Sequence, residues 1–153
     1  MIRTLALLVC FLAIVVSAAS YRPVSAVCTP TPPNLICDNA NDLYTVTSDS
    51  YTNRVDGGSG MDTLTIAASA EVGDSSTSAL DGFFGGLGAD SLTNNGTIMG
   101  LDGITDGDYT NGPNDGASDS IINTGLIIAN STGIEGGDSD IIGNSGTIVS
   151  AFT

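Results

Sequence analysis

From Asp90 the chain reads DSLTNNGTI, with Leu92 and Ile98 as apolar points in a polar frame. The same frame, Asp-x-Φ-x-Asn-x-Gly-x-Ile with Φ a large aliphatic, returns as DSIINTGLI at Asp119–Ile127 and as DIIGNSGTI at Asp140–Ile148. An earlier, degenerate copy, DTLTIAASA at Asp62–Ala70, keeps only the Asp and Leu64. Apolar and polar positions alternate within each copy, the period of a half-buried strand. The Asn, Gly and Asp positions fall where the backbone must turn. A second block, Φ-x-[GD]-G, precedes each copy: VDGG at Val55–Gly58, FFGG at Phe83–Gly86, ITDG at Ile104–Gly107 and IEGG at Ile134–Gly137. No stretch beyond the first 26 residues has helical periodicity with caps.

These units are too short to bury a face alone, so they must stack on one another as a solenoid of about five coils. Equivalent aliphatics then form interior ladders: Leu64/Leu92/Ile121/Ile142, Ile98/Ile127/Ile148 and Val55/Phe83/Ile104/Ile134. Asn94, Asn123 and Asn144 are expected to stack at a shared corner, with their amides bonding from coil to coil or to turn backbone. Two polar, turn-rich stretches, Glu71–Ala79 and Asp108–Ser118, are expected to leave the coil as loops. Asn39–Thr52 contains one good strand, LYTVT, and is expected to cap the N-terminal end.

The start of the chain has a different character. MIRTLALLVCFLAIVVSAAS has a basic start at Arg3 and an uncharged apolar run from Leu5 to Val16, and VSA at Val24–Ala26 is a cleavage-site pattern. That layout predicts a secretory signal peptide over 1–26, a cap with a disulfide loop over 27–54 and repeats over 55–153. The apolar run is short for a membrane span, so no transmembrane segment is expected in the mature chain. Cys28 and Cys37 remain after cleavage and are expected to pair, as an even cysteine count suggests in an exported protein.

Charge then narrows the function. All 17 acids lie beyond residue 26, whereas Arg3 and Arg22 leave with the leader, so of three bases only Arg54 remains. Nothing in such a chain can neutralise phosphate, which excludes nucleic acid as a partner. The excess of carboxylates resists compaction unless cations screen or bind them. Yet hydrophobic residues make up 41% of the chain and charged ones 13%, a composition that can build a core. With no histidine and no lysine, most general-base and nucleophile schemes lack their parts, and the expectation is a protein that is not an enzyme.

GGSGMDTLT at Gly57–Thr65 and GGLGADSLT at Gly85–Thr93 both fit G-G-x-G-x-D-x-Φ-x. Here the chain resembles the haemolysin-type calcium-binding (RTX) nonapeptide repeat. The resemblance implies calcium held by the carboxylates of Asp62 and Asp90, with Gly57, Ser59, Gly85 and Leu87 as carbonyl donors. GGDSDII at Gly136–Ile142 is one residue short, and there Asp138 and Asp140 are the candidate ligands. In that family the nonapeptides run in tandem, whereas these two copies lie 28 residues apart. Plain tight turns remain the competing reading of the same residues. The Asn-x-Gly-x-Ile block resembles instead the repeats of bacterial surface adhesins and autotransporter passengers, which form right-handed β-helices.

The expectation is therefore an all-β, short right-handed parallel β-helix or β-roll. Its expected role is structural or adhesive, at the cell surface or in extracellular matrix. The partners implied are further copies of the chain, other extracellular proteins or glycans. A carbohydrate- or ice-binding module, or a fragment of a larger repeat adhesin, is the alternative. For the former, Thr97 and Thr147 align but Leu126 breaks their column.

Overall fold

The computed structural model describes residues 28–31, 33–47, 50–51, 54–74, 81–106, 116–137 and 139–150. The leader expected at 1–26 lies outside the described residues, as does most of each expected loop, 75–80 and 107–115.

The described chain begins with a hairpin. Strand β1 (Thr29–Thr31) runs antiparallel to β2 (Asn34–Ile36), with Thr29 opposite Ile36. The Cys28–Cys37 disulfide closes the hairpin, and both cysteines are buried against Leu35 and Val55. All other strand pairings among the described residues are parallel.

Five coils then stack, each giving one short strand to each of three sheets. The first coil comprises β2, β3 (Leu43–Val46) and β4 (Ser50–Tyr51). The second is β5 (Val55–Asp56), β6 (Thr63–Ile66) and β7 (Glu71–Val72). The third is β8 (Phe83–Phe84), β9 (Ser91–Asn94) and β10 (Thr97–Gly100). The fourth is β11 (Ile104–Thr105), β12 (Ser120–Asn123) and β13 (Leu126–Ala129). The fifth is β14 (Ile134–Glu135), β15 (Ile141–Asn144) and β16 (Thr147–Ser150). The sheets run β1-β2-β5-β8-β11-β14, β3-β6-β9-β12-β15 and β4-β7-β10-β13-β16. This is a three-sided parallel β-solenoid.

Register follows the aliphatic columns. Tyr44, Leu64, Leu92, Ile121 and Ile142 lie opposite one another through the second sheet. Val72, Ile98, Ile127 and Ile148 do so in the third. Leu35, Val55, Phe83, Ile104 and Ile134 do so in the first. A slip by one residue would turn each column outward, so the pattern itself fixes the register. Leu35, Leu64, Ile66, Leu92, Ile98, Ile104 and Ile127 are all less than 2% exposed. Each contributes about 1.5–3 kcal/mol of burial.

One expected loop is in part a strand. Glu71–Val72 is β7, paired with Thr97–Ile98 of β10 and with Ser50–Tyr51 of β4. Glu71 faces out and Val72 is fully buried, so a single apolar residue in a polar stretch suffices to complete the third side. At the other end of the stack, β15 and β16 are exposed along their whole length. Ile142 and Ile148, equivalent to buried residues in the coils below, are 48% and 37% exposed because no described residue covers the fifth coil.

Candidate metal centre

Asp42, Asp62, Asp90, Asp119 and Asp140 each stand immediately before a strand of the second sheet. Stacking brings them into a file. The Asp42 amide donates to Oδ1 of Asp62 at 2.7 Å, and the Asp62 amide to Oδ1 of Asp90 at 2.8 Å. The Asp90 amide donates to Oδ1 of Asp119, and the Asp119 amide to Oδ1 of Asp140 at 3.0 Å. Each carboxylate thus satisfies the N–H at the turn of the preceding coil, as an N-capping side chain does at a helix start. Asp42, Asp62, Asp90 and Asp119 are all buried.

In three of these carboxylates one oxygen answers a backbone N–H and the other is left over. Oδ1 of Asp42, Oδ2 of Asp62 and Oδ2 of Asp119 are buried without a hydrogen-bond partner. Like charges one coil apart, about 4.8 Å, repel by roughly 3 kcal/mol at an effective dielectric near 20. Burial pushes the Asp62 carboxyl up to about 6. Asp42 is raised by burial and by the neighbouring Asp38 charge. Arg54, the sole base among the described residues, is engaged by Asp56 at 2.5 Å and lies over the Phe84 ring. A shorter ladder at another corner runs the opposite way: the Asp102 amide donates to Asp81 Oδ1 at 3.4 Å and the Thr132 amide to Asp102 Oδ1 at 2.7 Å. Burial raises the Asp81 carboxyl as well.

The third column of the Φ-x-[GD]-G block supplies one further acid. It holds Gly57, Gly85, Asp106 and Gly136 on successive coils. A Cβ built on Gly57 would lie 3.5 Å from Asp62 Oδ2, one on Gly85 3.5 Å from Asp90 Oδ2, and one on Gly136 2.9 Å from Asp140 Oδ2. The column therefore faces the aspartate file. In the fourth coil it carries a carboxylate, and Asp90, Asp106 and Asp119 gather with one oxygen each inside a mutual 4.8 Å. All three are less than 8% exposed. Three carboxylates at this spacing are a hard-oxygen donor set suited to a calcium-sized cation.

The residues singled out from the Gly-Asp motif divide. Asp62, Asp90 and Asp140 belong to the ladder, and Asp90 also joins the triad. The Gly137 amide donates to Asp140 Oδ2. Asp138 lies outside the described residues. Gly57, Ser59, Gly85 and Leu87 lie in two loops that stack directly on one another, with Ser59 bridged to Leu87. The Gly60 amide donates to the Leu87 carbonyl at 2.7 Å and the Leu87 amide to the Gly58 carbonyl at 2.9 Å. The two nonapeptides, distant in sequence, are neighbours because 28 residues is the length of one coil here. Their glycines have a structural reason that needs no ion: a Cβ on Gly86 or Gly88 would lie 1.9 or 1.6 Å from a carbonyl oxygen of the loop below.

Asp106 and Asp119 were not among the ligands that the motif suggests. Their signal was in the repeats: an Asp in a column that is otherwise glycine, and the aspartate opening each Asp-x-Φ copy. The asparagine file lies on the same sheet. Asn94 Nδ2 donates to Asn123 Oδ1, and Asn123 Nδ2 to Asn144 Oδ1, both at 2.8 Å.

No protein-family model matches the chain, and neither a curated protein nor a solved structure does. Among the described residues no helix is long and apolar enough to cross a membrane.

Proposed function

We propose that the chain is a secreted β-solenoid, stabilised by calcium, with a structural or adhesive role at the cell surface or in extracellular matrix. The observation that carries this reading is the interior file of aspartates with leftover buried oxygens, in a chain with 17 acids and 3 bases. Cations are the cheapest means of offsetting such a file at neutral pH. The buried disulfide accords with an oxidising compartment. The lack of histidine and lysine supports a non-catalytic role. The uncovered apolar interior of the fifth coil, at Ile142 and Ile148, supports stacking by a further coil from a second copy or from other chain. Thermal melts followed by far-ultraviolet circular dichroism test the calcium part. The midpoint should fall on adding EDTA and return with excess Ca²⁺; indifference to both would rule it out.

A second reading, a carbohydrate- or ice-binding module, is favoured by one observation. Thr45, Thr65 and Thr93 lie opposite one another on the outer face of the second sheet, beside a column of Thr63, Ser91 and Ser120. That is an ordered hydroxyl array on neighbouring strands. A glycan array and a thermal-hysteresis measurement separate this module from a purely structural solenoid.

A further inference from the structure

The geometry points to one discrete cation site inside the solenoid, formed by Asp90, Asp106 and Asp119, whose hard oxygen donors suit Ca²⁺. It rests on the calcium reading above but places an ion somewhere other than the glycine loops.

Three features support it. The first is the substitution pattern within the chain itself. Gly57, Gly85 and Gly136 show that a coil can be built with no side chain in this column, so the acid at Asp106 is a departure from the repeat. Placing a third buried carboxylate against two others opposes folding unless something positive joins them. The second feature is the free valence. Asp119 is 3% exposed, its Oδ1 accepts from the Asp90 amide, and its Oδ2 is buried with no partner. A buried carboxylate oxygen in that state lacks the partner that burial calls for, and a metal ion would supply it.

The third feature is space. A Cβ on Gly85 would lie 2.8 Å from Asp106 Oδ1 and 3.5 Å from Asp90 Oδ2. The bare Cα of Gly85 is what lets carboxylates from successive coils face each other. Three oxygens that all lie within 4.8 Å of one another share a common centre at most about 2.8 Å from each, so a small inward shift brings them to the 2.3–2.6 Å of Ca²⁺–oxygen bonds. Mg²⁺ gives up its waters reluctantly and is seldom held by an all-protein cage, so a buried set of carboxylates suits Ca²⁺ better.

The site ties two coils together, since Asp90 belongs to the third and Asp106 and Asp119 to the fourth. In the sequence, Asp106 and Asp119 flank the longer of the two polar, turn-rich stretches.

The test is isothermal calorimetry of the whole chain with CaCl₂ as sole titrant, on the natural sequence, Asp106→Asn and Asp106→Gly. The glycine variant restores what the other coils carry, and the asparagine variant keeps the shape with one charge fewer. Both should bind one calcium fewer, or bind that calcium about tenfold or more weakly. In EDTA both should melt at or above the natural chain, because a buried charge has been removed. Undiminished stoichiometry and affinity in both variants would overturn this site while leaving calcium in the glycine loops. No calcium uptake by the natural chain would overturn the site and the broader calcium reading together.

Discussion

The Asn94 side-chain amide donates to Oδ1 of Asn123 at 2.8 Å, and both residues are 0% exposed. Asn94 Oδ1 in turn accepts from the Gly96 amide at 3.0 Å, so the file ties side chains to the turn as well as to each other. Asn123 is the middle link. Asn123→Ala leaves a buried donor on one side and an acceptor on the other, and should cost about 2–4 kcal/mol. Asn144→Ala removes only the acceptor of the Asn123 amide, on a coil that solvent reaches, and should cost about 1 kcal/mol, less than Asn123→Ala. Urea denaturation of both variants checks the contrast, and equal losses would contradict a cooperative interior file.

The stacked glycine loops make a second contrast. Gly88 has φ +119°, and a Cβ there would lie 1.6 Å from the Gly60 carbonyl oxygen. Gly88→Ala should therefore destabilise by about 3 kcal/mol or more. Gly143 lies in a strand with nothing within 4 Å of its Cβ position. Gly143→Ala should leave stability unchanged or raise it by about 0.5 kcal/mol. A tolerated alanine at Gly88 would mean that the loops do not stack as described.

The aspartate file sets the direction of pH dependence. Asp62 is raised from 3.8 to about 6, and Asp42 and Asp81 are raised as well. The folded chain therefore binds more protons than the unfolded chain over this interval. Stability from these groups is full below the unfolded value of 3.8 and is lost as pH rises through about 6. In EDTA, the melting midpoint should be higher at pH 5 than at pH 7.5. With calcium present the difference should shrink, because the metal takes over the role of the protons. A midpoint in EDTA that rises from pH 5 to pH 7.5 would contradict the burial of these carboxylates.

How far the sequence reveals this molecule depends on what each residue must satisfy. The ladders through Leu92 and Ile98 were legible because an interior column admits only apolar residues at a fixed register. Val72 was not, since one valine beside Glu71 is too short a pattern to mark a strand until β10 is there to pair with it. The two nonapeptides looked isolated because coil length, not motif length, decides which loops touch. Asp106 was hidden for a different reason. Aspartate and glycine are interchangeable as turn formers in a linear pattern, and only the stacked backbone shows that this column points inward. The hydroxyl column at Thr45/Thr65/Thr93 lies on a different sheet from Thr97 and Thr147, whose own column Leu126 breaks.

The central claim is that metal, rather than protons alone, offsets the buried aspartates at neutral pH. Elemental analysis by inductively coupled plasma mass spectrometry tests it most directly, on the folded chain dialysed at pH 7.5 against dilute CaCl₂ and then against metal-free buffer. The account predicts at least one calcium retained per chain and its loss on dialysis against EDTA. A folded chain that retains no calcium would contradict it.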